Sequence, residues 1–498
     1  MIKKILIANR GEIAVRVIRA AREMGVLTVA VFSDADADAM HTRLADEAVH
    51  IGDSKPSASY LDMDKIIAVA KEAGADAIHP GYGFLSERAG FSGACEKAGI
   101  VFIGPSASAM RKLGAKIDAK KLAVANDVPI VPGFFKSGAS DKQLKKAAKE
   151  IGYPVMLKAS AGGGGRGMRI VRDPAEFDSE LKLASDEALK GFGDGAMMVE
   201  KLIDRPRHIE VQFLADSHGN VACLFERECS LQRRHQKVVE ESPSPVMTNE
   251  LWQGMRSASE RLVKASGYVG AGTVEFMFDE SSGEFYFLEV NARLQVEHPV
   301  TEAITGVDLV QWQIKIASGE ELALSEKLMK GDRSAISGHA IEARIISEDP
   351  AKGFMPSIGK IVGWAEPLTD GVRVDTGFEA GAEVSQFYDS LLAKVIAHSN
   401  DRAGAIAKLD AALQDFHVLG VTTNIALLLD VIDHEGFVAG RFDTGFLSRE
   451  FGEWSGGCDV PEELGNIAAM AAVSTNGKDA ESKSKAWETT DSFRIAHT

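Results

Sequence analysis

The stretch Lys158-Ala-Ser-Ala-Gly-Gly-Gly-Gly-Arg-Gly-Met168 joins two short runs of alternating apolar residues, Val155–Ala159 and Met168–Val171. Alternation with a period of two predicts a strand on each side. The successive glycines Gly162, Gly163, Gly164 and Gly165 lack Cβ atoms, so their N–H groups can wrap an anion, and Lys158 and Arg166 supply positive charge beside them. Phosphate is the natural guest. A merely flexible hairpin is the competing reading, and the basic flanks count against it. The Walker A pattern is absent, so the run, closed by Gly167, is not a P-loop. It reads as the tip of a small lid within residues 130–202.

On the N-terminal side, residues 4–8, 26–32, 77–79 and 101–103 read as strands and 12–24 and 66–73 as helices. That alternation predicts a mostly parallel α/β sheet. On the C-terminal side, from Pro206 onward, longer apolar strands are expected at 208–214, 221–226, 272–278 and 285–290, as in a larger antiparallel sheet. The fold class is therefore α/β joined to α+β in several domains. After residue 452 a helical stretch near 462–472 precedes a Ser/Lys/Asp-rich run that reads as a linker.

Composition narrows the function. A chain of 498 residues is long enough for two to four cores, and 45% hydrophobic with 26% charged residues is the balance of a folded soluble protein. No apolar run reaches membrane-span length, and the start is too short in apolar residues for a signal peptide, so the cytoplasm is the expected compartment. The net charge of −16 argues against nucleic acid as a partner, because phosphate contacts need a concentrated basic surface. Cys95, Cys223, Cys229 and Cys458 show no CxxC pair and read as inert thiols.

Two further segments carry chemistry. Gly272-Thr-Val-Glu275-Phe and Phe287-Leu-Glu289-Val-Asn291 read as neighbouring strands, with Glu289 and Asn291 on one face. Their carboxylate and amide oxygens suit Mg²⁺, with Mn²⁺ as an alternative, bridging nucleotide phosphates. A solvated strand face would explain any one of them, but the run continues through Arg293, Gln295, Glu297 and His298, too polar for ordinary sheet surface. The segment Glu228-Cys-Ser-Leu-Gln232-Arg-Arg-His235-Gln-Lys237-Val-Val-Glu-Glu241 shows no amphipathic period and, taken alone, reads as a surface loop. Beside the other elements it can supply nucleotide and anion contacts.

Together with Ile7-Ala-Asn-Arg-Gly-Glu-Ile13, His79-Pro-Gly-Tyr-Gly-Phe-Leu-Ser-Glu87 and Arg293-Leu-Gln-Val-Glu-His-Pro299, these motifs resemble the biotin carboxylase family of ATP-grasp enzymes, from residue 3 to about 447. Weaker likeness at residues 224–231 and 310–320 points to the α subunits of methylcrotonyl-CoA or propionyl-CoA carboxylases. The resemblance implies a Rossmann-like N-terminal domain at 1–115, a Gly-rich lid at 116–203, a catalytic domain at 204–335, a C-terminal domain at 336–447 and a tail at 448–498.

It assigns Lys116, Lys158, His208 and His235 to the phosphates and ribose of ATP, and Glu200 with the backbone of Lys201 and Ile203 to the adenine end. Gln232 joins this nucleotide set. Glu275, Glu289 and Asn291 become Mg²⁺ ligands. Lys237, Arg293, Gln295 and the backbone of Val296 hold bicarbonate, Glu297 is its general base, and Arg344 steadies the biotin enolate. Leu288, Val290 and Ala292 depart from the commonest pattern and are expected to point away from the ligand face. No Ala/Ser-Met-Lys-Met acceptor motif occurs, so biotin is expected on a carrier domain elsewhere, with a carboxyltransferase subunit and further copies of the chain as partners. Another ATP-grasp ligase joining a carboxylate to an amine, or a catalytically silent nucleotide-binding subunit, are the alternatives.

Overall fold

The computed structural model describes residues 2–114, 116–136, 138–160, 167–234 and 236–456. Met1–Trp454 forms one compact unit. The helix expected near 462–472 and the linker after it lie outside the described residues.

Strands β1 (Lys4–Ile7), β2 (Leu27–Ser33), β3 (Glu47–Gly52), β4 (Ala77–His79) and β5 (Val101–Phe102) form a parallel sheet in the order β3-β2-β1-β4-β5. Helix α1 (Gly11–Glu23) follows β1 directly and buries Ile13, Ala14, Val17, Ile18, Ala20 and Ala21, the apolar stripe that its 3.6-residue period creates. The alternation of strand and helix legible in the sequence is thus the parallel α/β sheet expected of it.

Strands β6 (Gly133–Phe134), β7 (Val155–Ala159), β8 (Met168–Val171) and β9 (Met197–Lys201) make a small antiparallel sheet in the order β6-β9-β7-β8. The two strands expected beside the glycine run are both present. Gly162, Gly163, Gly164, Gly165 and Arg166 lie outside the described residues. Gly167 has φ +69°, and a Cβ there would stand 2.9 Å from the Cβ of Ala159, so glycine is required on both counts.

The large sheet contains β10 (Arg207–Ala215), β11 (Val221–Arg233), β12 (Gln236–Ser242), β13 (Gly270–Asp279), β14 (Glu284–Asn291), β15 (His339–Ile346), β16 (Val372–Thr376) and β17 (Leu391–Ser399). Its order is β14-β13-β10-β11-β12-β15-β17-β16, antiparallel throughout. Helix α2 (Asn249–Ser266) seats fully buried Trp252 and Met255 in the core shared with Phe213, Phe225 and Phe276, while Leu409 and Leu413 of α4 (Arg402–Asp415) join Ile341, Ala343 and Val395 in a second core. Between these helices in sequence, α3 (His298–Thr305) lies near β12, β15 and β17.

The surface loop expected at 228–241 is instead the hairpin β11/β12, with Arg227, Glu228 and Ser230 almost fully buried. Its charges pair with neighbouring elements, Arg227 and Lys237 with Glu210, Glu228 with Arg207, and Glu240 with Arg344. Mutual pairing offsets the desolvation that would otherwise push such residues to the surface.

Candidate active site

One cavity of about 1040 Å³ opens between the parallel sheet, the small sheet and the large sheet. It is lined by Lys116, Lys158, Glu200, Lys201, Ile203, His208, Gln232, Lys237, Glu275, Glu289, Asn291, Arg293, Gln295, Val296 and Arg344, so residues spread over more than two hundred positions converge. His235 lies outside the described residues.

The register of the large sheet explains the acidic floor. Glu289 stands opposite Glu275, Glu275 opposite Glu210, and Glu210 opposite Arg227, a row across β14, β13, β10 and β11. Like charges placed directly opposite repel, so such a row needs cations. The Lys237 ammonium serves three carboxylates, Glu210 at 2.8 Å, Glu275 at 3.1 Å and Glu297 at 2.5 Å. Arg227 donates from Nε to Glu210 at 2.6 Å and from Nη1 to Thr301 at 2.8 Å. His208 Nε2 lies 3.0 Å from Glu275, and Asn291 Nδ2 donates to Glu275 at 2.7 Å. Burial would raise the Glu275 carboxyl, but Lys237 and His208 outweigh it and hold it far below its ordinary range. Glu289 is raised, by burial first and then by Glu275. Two opposed carboxylates and an amide oxygen, with Glu289 in no ion pair among the described residues, are a donor set that fits a hard divalent cation.

Leu288 corrects one expectation. A register shift pairs Glu275 with Glu289 but Phe276 with Phe287, leaving Leu288 as an extra residue in β14. Strict alternation therefore fails, and Leu288 lines the cavity beside Glu289. Val290 and Ala292 do point into the core.

At the other end, Glu297 is fully buried at the N-cap of α3, behind the cavity wall. Its carboxylate takes Lys237 on one oxygen and Arg344 Nη2 on the other at 3.0 Å. Burial alone would raise it, yet Lys237, Arg344 and Arg227 hold it well below the usual carboxylate range. Arg344 Nε also donates to Glu240 at 2.6 Å. Arg293 donates to Gln295 at 2.9 Å, and Gln295 donates to Thr273 at 3.0 Å, which fixes both side chains at the cavity edge.

In the small sheet, Glu200 is buried and binds Lys158 at 2.5 Å and Lys120. Its carboxylate is thus committed to two lysines, while its neighbours Lys201 and Ile203 line the cavity.

Sequence reasoning gave no role to several supporting residues. Glu87 grips Arg293 Nε at 3.2 Å and accepts from the Ala292 N–H at 3.1 Å, although its motif was legible. Lys394, wholly buried, donates to the Val296 carbonyl at 2.9 Å and lies 3.3 Å from Glu12. A single lysine within the apolar run Leu391-Leu-Ala-Lys-Val-Ile-Ala397 carries no local pattern by which to find it.

Comparison with known proteins places three family models along the chain. Residues 1–110 match the model of the biotin carboxylase N-terminal domain, 115–325 that of the carbamoyl-phosphate synthase L chain ATP-binding domain, and 342–449 that of the biotin carboxylase C-terminal domain. The chain is similar to the mitochondrial methylcrotonoyl-CoA carboxylase subunit alpha of Rattus norvegicus, 51% identical over 90% of this chain and 62% of that one. It therefore spans less than two thirds of that relative's length. Biotin carboxylase 1 of Bacillus subtilis is 48% identical over 90% of this chain and 98% of its own. Among solved structures, the biotin carboxylase domain dimer of Hydrogenobacter thermophilus 2-oxoglutarate carboxylase, in complex with MgADP, ADP and bicarbonate, superposes with TM-score 0.86 at 46% identity, covering 90% of this chain and 98% of that one.

Proposed function

Because this chain belongs to the biotin carboxylase family of ATP-grasp enzymes, we propose that it carries out ATP- and Mg²⁺-dependent carboxylation of biotin borne on a carrier domain. The observation that carries this reading is Lys237, whose ammonium joins the carboxylate row at the nucleotide end to Glu297 and, through it, to Arg344. Metal-phosphate chemistry and anion activation therefore share one cation.

Glu275, Glu289 and Asn291 would hold Mg²⁺, which when bound offsets the charge of the nucleotide phosphates. Lys116, Lys158 and His208 supply cations along the same wall. Arg293, Gln295 and the Val296 backbone offer donors to bicarbonate. Glu297 takes the bicarbonate proton, and the freed oxygen attacks the γ-phosphorus of ATP as ADP leaves, giving carboxyphosphate. Carboxyphosphate splits to CO₂ and phosphate, the phosphate removes the ureido N–H proton, and that nitrogen bonds to CO₂. Arg344 offsets the negative charge on the biotin oxygen.

A carboxylate held so far below its ordinary range is a weak base. Bicarbonate supplies the remedy, because its negative charge gives Lys237 and Arg344 a second partner and weakens their hold on Glu297. The base strengthens only when the substrate is in place.

The relatives support an acyl-CoA carboxylase of the methylcrotonyl- or propionyl-CoA type, with a carboxyltransferase subunit and further copies of the chain as partners. No described helix is long and apolar enough to cross a membrane, and we assign the reaction to the cytoplasm. The test is ATP hydrolysis that requires bicarbonate and rises with free biotin. Hydrolysis indifferent to bicarbonate, or none at all, would overturn the reading. Reconstitution with a carboxyltransferase and a panel of acyl-CoA thioesters then identifies the acceptor.

A further inference from the structure

Glu240 on β12 and Glu342 on β15 stand directly opposite one another in the antiparallel register, both fully buried. Cross-strand partners bring their Cβ atoms to about 5 Å, within reach of two glutamate side chains. Glu240 Oε1 accepts from Arg344, but Glu240 Oε2 and both oxygens of Glu342 have no hydrogen-bond partner among the described residues. Three buried acceptors without a donor would be very costly. One proton removes most of that cost, because a carboxylic acid on Glu342 donates to Glu240 Oε2 and also cancels one of the two facing charges.

We propose that Glu240 and Glu342 share a single proton at neutral pH, and that this neutral acid on Glu342 keeps Glu240 ionised and facing Arg344, making Glu342 a positioning residue for that arginine. The second half rests on the reading of Arg344 given above; the first does not.

The surroundings agree. Lys237 shares β12 with Glu240, Arg344 shares β15 with Glu342, and Lys394 on β17 faces Glu342. Cys229 on β11 acts on Glu240 and Glu297 at the α3 N-cap acts on both carboxyls, while Arg373 and Asp375 on β16 lie in the cross-strand rows of Glu342 and Arg344, and His298 and Glu302 of α3 stand against Lys394 and Arg373. Lys394 is already engaged with the Val296 carbonyl, Glu12 and Asp375. Arg344 is divided between Glu240 and Glu297. Neither cation gives Glu342 a hydrogen bond. Burial pushes the Glu342 carboxyl well above its usual range despite Lys394, and Glu240 adds to the rise. Burial also raises Glu240, against Arg344.

As pH rises, the proton is lost. Glu342 then competes with Glu240 for Arg344 and draws it from Glu297 and the cavity. For a raised carboxyl the stabilising contribution is complete below the unfolded carboxylate range and disappears as pH climbs through the native value.

The experiment compares the whole chain with Glu342→Gln and Glu342→Leu by infrared spectroscopy at pH 8, where ordinary carboxylates are ionised. Wild type should show a protonated carboxylic acid C=O band that Glu342→Gln lacks. The same bands in both proteins would overturn the shared proton, whatever the enzyme's activity. Bicarbonate-dependent turnover from pH 6 to 10 tests the positioning role. Glu342→Gln, which retains a donor but cannot ionise, should lose the alkaline decline seen in wild type, and Glu342→Leu, which offers no donor, should fall about tenfold below Glu342→Gln. If Glu342→Leu does not fold, the profile of Glu342→Gln alone decides. Superimposable wild-type and Glu342→Gln profiles would overturn the role while leaving the infrared result standing.

Discussion

The two ends of the cavity hold their charges in different ways. At the end proposed for the nucleotide, Lys158 and Glu200 sit on the four-stranded sheet, and Lys158 pairs with one carboxylate that Lys120 shares. At the end proposed for bicarbonate, Lys237, Glu297, Arg344 and Glu240 interlock across the eight-stranded sheet and the α3 N-cap, with Lys237, Glu297 and Arg344 each holding two or more partners. Lys158 can be withdrawn from Glu200 because Lys120 still holds that carboxylate. The interlocked set has no such spare partner, because removing one member leaves the others charged and dry. Under the proposed function the first end binds and the second holds geometry during proton transfer.

The largest expected effect falls on the second end. Glu297→Gln keeps the shape and hydrogen bonding but removes the base, so bicarbonate-dependent ATP hydrolysis should fall by roughly 10²- to 10⁴-fold while ATP affinity changes by less than about threefold. A loss of ATP affinity as large as the loss of turnover would mean that Glu297 only supports α3 and its ion pairs. At the nucleotide end, Lys158→Met should weaken ATP binding by about 10- to 100-fold, as expected for loss of a charge-assisted contact, with a smaller change in turnover at saturating ATP. A collapse of turnover with unchanged ATP affinity would erase the contrast between the ends.

A smaller effect concerns acid. Glu275 is depressed in the folded protein by Lys237 and His208 against the opposing effect of burial, so the stability it contributes is present above the unfolded carboxylate range and lost as pH falls below it. Urea midpoints should therefore show Glu275→Gln less stable than wild type at pH 7, with the gap closing below about pH 4. A gap independent of pH would assign the loss to packing. The smallest effect calibrates the rest: Lys330→Ala breaks an exposed pair with Glu326 and should move Tm by less than about 1 °C.

The small sheet was legible because its strands alternate and are punctuated by glycine, local signals that tertiary structure did not override. The parallel sheet was legible for the same reason, with helix boundaries off by a residue or so, as at α1. The hairpin at 228–241 was not. Its charged residues look solvated in one dimension, and only the strands opposite reveal that Arg227 meets Glu210 and that Glu240 meets Glu342. The side chains that line the cavity could be named from motifs, whereas those behind them could not. Lys394 and Glu87 act on Val296 and Arg293 from positions 98 and 206 residues away, separations at which no spacing rule operates.

The bulge at Leu288 leaves one side chain with unusual freedom. It stands outside the pairing of β13 with β14, so its identity is not dictated by the ladder, yet it reaches the cavity floor beside Glu289. Exchange at this position can reshape the floor while Phe287 stays in the core and Glu289 stays opposite Glu275. The strand thus carries an adjustable residue inside a rigid frame, where selection can retune the fit of a guest without renegotiating the scaffold that holds it.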